Sequence, residues 1–307
     1  MDKEYSPVVV FAYSRADKIE KCLECLEKCP EAAYTDLFIF CDGPKGEKDR
    51  SKVTAVQSFC KEYEGRSRFK KVDVRLSEVN RGLAESIISG VTEVVNEYGR
   101  VIVIEDDLAA FPTMLSFLNE GLNMYADEKK CGSVSAYTYP MKCLKDYEDT
   151  VFFTRKAECW GWATWADRWD NASWKNTDFT KYLNNRKERL RFESLEAGLD
   201  RLMYLQHKGK IDSWAIRWVY YLYQKELLTA YPTRSRILNE GADGSGTHFS
   251  GSGGIRLNSA DPADSSSADT KWTECKLNDY LAARYAAYPR KFLPLYLFDT
   301  VHFLLKK

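Results

Sequence analysis

The chain has 307 residues and is 44% hydrophobic, enough for one sizeable core. Its 45 basic and 45 acidic residues balance, which excludes the basic stripe of a nucleic-acid binder; no nucleic-acid partner is expected. An odd number of cysteines, nine, follows a start, "MDKEYSPVVV", without signal-peptide pattern, so free thiols in a reducing cytoplasm are expected.

In chain order, "PVVVFAY" reads as a buried strand. Ser14 is then expected to cap a helix over "RADKIEKCLECLEKC". Its Cys22, Cys25 and Cys29 lack any His or second Cys pair at zinc spacing, so they read as packing residues. "DLFIFCDGP" is a second strand and "SKVTAVQSFCKEYEG" a helix. "FKKVDVRLSE" is a third strand, followed by a helix over "NRGLAESIISGVTEVVNEYG", and "RVIVIEDD" is the fourth strand. This alternation predicts an α/β fold, a mostly parallel sheet flanked by helices on both faces. After Pro112 come a helix ("TMLSFLNEGLNMYADEKK"), a strand ("CGSVSAYTYP"), the Trp-rich run "CWGWATWADRWDNASW" and a basic helical region beginning "KYLNNRKERLRF". "IDSWAIRWVYYLYQKELL" then precedes a stretch over residues 250–270 rich in Gly, Ser, Ala and Asp, which reads as a mobile surface loop.

Ligands of open parallel sheets bind beyond the carboxyl ends of the strands. Four polar groups fall at that edge: Arg15 after the first strand, Asp42 after the second, Asn80 and Arg81 with Gly82 after the third, and Glu105, Asp106 and Asp107 after the fourth. Any one alone is ordinary turn chemistry; the four together predict a binding crevice. Three adjacent carboxylates repel one another, and a divalent cation is the physical remedy. Mg²⁺ and Mn²⁺ take oxygen ligands and are commonly completed by substrate phosphates. With no glycine-rich phosphate loop in the chain, a nucleotide diphosphate-sugar fits better than a nucleoside triphosphate.

"FAYSR", "FCDGP", "NRGLAESIISGV", "VIVIEDDLAAFP", "CWGWATWADRW" and "DSWAIRW" together resemble the N-acetylglucosaminyltransferase I family and its bacterial relatives of surface-polysaccharide synthesis, over residues 7–250. The acidic run resembles the D-x-D metal motif of GT-A glycosyltransferases. The resemblance implies a GT-A (Rossmann-like) fold with an acceptor-side C-terminal region, and inverting transfer from a nucleotide-sugar donor, a UDP-sugar by family usage, to a glycan or lipid-linked saccharide acceptor. It implies that Arg15 contacts the base and Asp42 the nucleotide, that Glu105 approaches the donor sugar and Asp106 the ribose or sugar, and that Asp107 holds Mn²⁺ or Mg²⁺. Arg81 is a looser match, a cation for the diphosphate. Where eukaryotic relatives carry "DDW", this chain has Asp212-Ser213-Trp214, which leaves Asp212 as the candidate base; its alternative role is helix N-cap. Trp162 is expected near the sugar with its neighbouring tryptophans buried, and Gly161 suggests that the backbone passes close to another group, a ligand among the candidates. His248 is expected either to help bind metal or diphosphate or to be an exposed loop residue.

These readings divide the chain into residues 1–112, a nucleotide-sugar-binding half; 113–250, an acceptor-binding and catalytic half of the same domain; and 251–307, a mobile loop with a C-terminal helical segment. That segment, "YPRKFLPLYLFDTVHFLLKK", is too short in uncharged run to span a bilayer; it suits either peripheral contact with the inner face of the cell membrane or packing onto the catalytic domain. The competing classes are a metal-dependent phosphoesterase or pyrophosphatase and a non-catalytic sugar-nucleotide-binding protein.

Overall fold

The computed structural model describes residues 5–170, 172, 174, 179–241 and 270–289. The expected βα alternation is present: β1 Val8–Ala12, α1 Ala16–Leu26, β2 Asp36–Cys41, α2 Glu47–Glu64, β3 Lys71–Leu76, α3 Leu83–Tyr98 and β4 Arg100–Glu105. A three-residue strand, β5 Leu108–Ala110, follows the acids, then α4 Met114–Met124 and β6 Cys131–Ser135. Two strands that the sequence pattern did not reveal come next, β7 Val151–Thr154 and β8 Trp162–Trp165, the latter inside the Trp-rich run. The basic helical region divides into α6 Thr180–Leu183, α7 Arg186–Glu193 and α8 Leu199–His207, after a single turn, α5 Ala166–Trp169. α9 Trp214–Gln224, β9 Leu228–Pro232, β10 Ile237–Asn239 and α10 Asp279–Ala287 complete the order.

Eight strands form one sheet in the order β3-β2-β1-β4-β8-β6-β9-β7, which runs unbroken across residue 112. β3, β2, β1 and β4 are mutually parallel; β8 is antiparallel to both β4 and β6, and β7 is antiparallel to β9. Both faces are covered, which is why the first strands read as unbroken apolar runs. Val8, Val10, Ile102 and Ile104 face a core shared with α1, α2 and α4. The alternate residues Val9, Phe11, Val101 and Val103 face a second core with α3 and α9. On α1 the spacing Ile19, Cys22, Leu23, Leu26 makes one buried stripe, which explains the cysteines as packing residues. All nine cysteines are free thiols.

Two local expectations change. Ser14 does not cap α1; the capping position is Arg15, whose side chain makes no capping bond because it turns to the acids instead. At α9 the N-cap is Ser213, whose hydroxyl accepts the Ile216 N–H at 3.3 Å, so Asp212 is not a cap.

Candidate active site

β1 and β4 are adjacent and parallel, so the residues following them meet at one edge. Arg15 Nη2 donates to Asp106 Oδ1 and, at 3.0 Å, to Asp107 Oδ2. Asp106 is buried and its backbone N–H is bonded to Phe11 O at 3.1 Å, locking the acid turn to β1. One guanidinium faces three carboxylates. Burial, then the neighbouring Asp107 and Asp106, push Glu105 up to about 8, and Arg15 only partly offsets them. Burial likewise lifts Asp106 to about 6 against the pull of Arg15. The cluster is therefore short of positive charge. Arg15 Nη1 is buried with no hydrogen-bond partner among the described residues.

The short strands missed in the sequence complete this corner. β5 pairs with β10 antiparallel, with Asn239 opposite Leu108, and Glu240 N–H donates to Asp107 O at 2.8 Å. Gly241 then lies against the acid: a Cβ there would stand 2.2 Å from Asp107 Oδ2. Only glycine lets the chain pass so close to that carboxylate. The usable signal was Asn239-Glu240-Gly241, a polar turn after the apolar pair Ile237-Leu238, but nothing local ties it to Leu108.

Asp42 is brought to the same edge in a different capacity. Its Oδ1 accepts the N–H groups of Gly43 at 2.9 Å and Arg81 at 2.8 Å, while Oδ2 accepts Asn80 Nδ2 and the Gly82 N–H, both at 2.9 Å. Two donors per oxygen exhaust its capacity. The direct nucleotide contact expected of Asp42 is thus replaced, in this conformation, by a positioning role: it folds the turn that presents Arg81, whose side chain is exposed.

Trp162 is a correction. It is fully buried, packed on Trp169, Trp214 and Trp218 in the α3/α9 core. Two tryptophans of the run are half-buried, Trp174 beside Trp169 and Trp160, the latter set edge-on to Tyr137 at 4.7 Å in the opposite core. Gly161 is responsible: its φ of +67° bends the chain between them, and a Cβ there would meet Ile237 Cδ1 at 2.7 Å. The close approach at Gly161 is to the Ile237 side chain.

Asp212 lies on the loop before α9, with its side chain 70% exposed and ion-paired to Arg217 at 2.5 Å. His248 lies outside the described residues. Among the described residues no group of three or more His, Cys, Asp or Glu is arranged to hold a metal ion.

Sequence reasoning also missed a buried charged cluster. Lys156 Nζ reaches Glu158 at 2.8 Å and Glu196 at 3.0 Å beneath Tyr139 and Tyr285. Burial alone would lower the Lys156 ammonium, but the two glutamates outweigh it and hold it well above its ordinary value, so it stays charged.

No family model matches the chain, and no curated protein does. Solved structures of similar shape include residues 1–349 of TarS from S. aureus, 12% identical with a TM-score of 0.42, over 76% of this chain and 59% of that one. The glycosyltransferase GlyE of Streptococcus pneumoniae TIGR4 is 10% identical with a TM-score of 0.39, over 74% of this chain and 45% of that one. A UDP-glucose pyrophosphorylase solved with UDP-glucose is 9% identical with a TM-score of 0.39, over 77% and 94%. The chain thus spans 59% of the TarS fragment and 45% of GlyE.

Proposed function

We propose that the chain is a metal-dependent inverting glycosyltransferase that moves a sugar from a nucleotide diphosphate-sugar, a UDP-sugar in the first instance, to a glycan or lipid-linked saccharide of bacterial surface-polysaccharide synthesis. The observation that carries this reading is the pairing, at the ligand edge of a parallel sheet, of an under-compensated carboxylate corner with a buried guanidinium N–H that has no partner. The first calls for a cation and the second for an acceptor oxygen; a nucleotide diphosphate with bound metal offers both.

The donor set fits Mg²⁺ or Mn²⁺ as a partial shell. The ligands on offer are carboxylate oxygens, and such ions are commonly held by one or two carboxylates, with water and phosphate completing the shell. Asp107 would hold the ion. When bound, it supplies positive charge to the departing diphosphate. The remaining work falls to this chain's residues. Arg15 Nη1 donates to the nucleotide while Asp106 fixes the guanidinium. Arg81 attracts the diphosphate, and Glu105 borders the donor sugar. The acceptor hydroxyl attacks the anomeric carbon as the bond to diphosphate breaks. Asp212 receives the hydroxyl proton, and the bonding electron pair leaves with the diphosphate. The proposal includes a cytoplasmic location. No helix among the described residues is long and apolar enough to cross a membrane. Contact of the C-terminal segment with the inner leaflet concerns residues 290–307, outside the described residues.

The test is a thermal-shift screen of nucleotide sugars with Mn²⁺ on wild type and Asp107→Ala, followed by assay of nucleotide release with and without acceptor saccharides. Wild type should gain stability from a nucleotide sugar only with Mn²⁺, and Asp107→Ala should fold but lose that gain. Equal Mn²⁺-dependent binding by the mutant removes Asp107 from the metal. Release of inorganic phosphate without sugar transfer moves the reading to a phosphoesterase, and binding without turnover moves it to a sugar-nucleotide-binding protein.

A further inference from the structure

The buried charges Lys156 and Glu158 and the partly exposed Glu196 adjoin a cavity of about 120 Å³ between the segment 156–159, α8 and the start of α9. A water needs ~10–15 Å³ on this measure, so the space suits several waters or one sugar ring. Its walls are largely apolar, from Leu199, Leu202 and Ile216, and Ser213 also borders it. Apolar walls with a few converging polar groups are the usual make-up of a small-molecule site.

Within the cluster the two glutamates differ. Glu158 is spent: Oε2 takes Lys156 and the Tyr285 hydroxyl, both at 2.8 Å, and Oε1 takes the Cys159 N–H at 3.0 Å. Glu196 takes Lys156 at 3.0 Å and the Tyr139 hydroxyl at 3.1 Å on Oε2 alone; its Oε1 has no partner among the described residues. Burying an ion pair such as Lys156–Glu158 is costly and rarely stabilises a fold on balance. Glu196 lines the cavity, and a carboxylate held on one oxygen by Lys156 and Tyr139 is well made to accept a hydroxyl on the other.

The cavity also borders the proposed reaction centre. β4 lies beside β8, with Val103 against Trp162, and Glu105 stands near enough to Cys159 of the cavity wall to add, after burial and Glu158, to the upward push on its thiol. At the other end Ser213 follows Asp212 directly.

We propose that this cavity is a pyranose subsite and that Glu196 Oε1 is its hydroxyl-binding, specificity-determining group. The inference rests on the glycosyltransferase reading. The ring would come from either the acceptor or the donor; both present the same hydroxyl chemistry.

The test uses methyl glucoside, methyl galactoside, UDP and UDP-sugars as probes on the full chain, read by saturation-transfer NMR and calorimetry. Glu196→Gln keeps the shape but weakens acceptance. Leu202→Trp, from a side chain that is partly exposed beside the cavity, fills it and leaves the charges alone. An acceptor subsite predicts methyl-glycoside binding to the UDP-loaded wild type, weakened at least tenfold in both variants, with UDP-sugar affinity unchanged. A donor subsite predicts that the UDP-sugar, but not UDP, weakens tenfold in both. The proposal is overturned if both variants bind every probe as wild type does, or if wild type binds no glycoside and holds UDP-sugar no better than UDP. Glycoside binding lost on filling the cavity, in a chain that binds no nucleotide sugar, keeps the subsite and removes the glycosyltransferase reading. Should Glu196→Gln fail to fold, Leu202→Trp decides alone.

Discussion

Asp42→Asn should be far more damaging than an isosteric change on a turn normally is. The carboxylate takes two N–H donors on each oxygen, from Gly43 and Arg81 on one side and from Asn80 and Gly82 on the other, at 2.8–2.9 Å. An amide has one oxygen. Whichever way it turns, two donors face an NH₂ group, and that group finds no acceptor in return. Each bond to a charged acceptor contributes ~1.5–3 kcal/mol, and each donor left without a partner costs ~1–3 kcal/mol. Asp42 is 8% exposed, but the backbone it organises is half-exposed, so water recovers part of the loss. The net expectation is about 2–4 kcal/mol, a large share of the ~5–15 kcal/mol that holds a typical domain. Asp42→Ala, which leaves room for water and introduces no opposing donor, should be no worse. Urea unfolding measures both, and amide exchange should localise the loosening to residues 80–83 at the start of α3. An Asn variant within ~0.5 kcal/mol of wild type would refute the positioning role, because surface changes away from such features stay in that range.

Two further outcomes separate readings of the site. Asp212→Asn should leave stability nearly unchanged, since Asp212 is exposed and Arg217 keeps the carbonyls of Ser213 and Trp174, and should keep donor binding while losing ~100-fold in kcat; normal turnover would reduce Asp212 to a tether for Arg217. In metal-free buffer the folded chain holds a proton on Glu105 up to about 8, whereas an unfolded glutamate releases it near ~4.3, so the folded state binds more protons between those values. Stability should therefore fall as pH rises from 5 to 8, by roughly 1–3 kcal/mol after solvent screening, and a melting temperature that rises over this range would contradict the crowding of charge at the acid corner.

The difference between what the sequence reveals and what it hides at this site follows from distance along the chain. β1, β2 and β4 are largely apolar runs of five or six residues, β3 is a more polar edge strand, and helices of clear period separate the four, so parallel connection through helices is nearly forced. The acid corner and Arg15 follow at once, because they are the residues next after two such strands. Gly241 is different. Its contact with Asp107 depends on two three-residue strands, β5 and β10, whose pairing carries no local signature. Trp162 was misplaced for a related reason. Residues 160 and 162 share a face only if the strand continues between them, and Gly161, bent to φ +67° against Ile237, breaks the alternation. The deepest omission is the Lys156–Glu158–Glu196 cluster. In the sequence these are three charges among 90 acidic and basic residues, and charged side chains are by default solvated. What sets them apart is that α8, α10 and the segment before β8 converge on them and exclude water. Tyr139 and Tyr285 then supply the hydroxyls that burial requires. Such convergence is a property of tertiary packing, so the residues most informative about a second ligand position are those the chain's local pattern least announces.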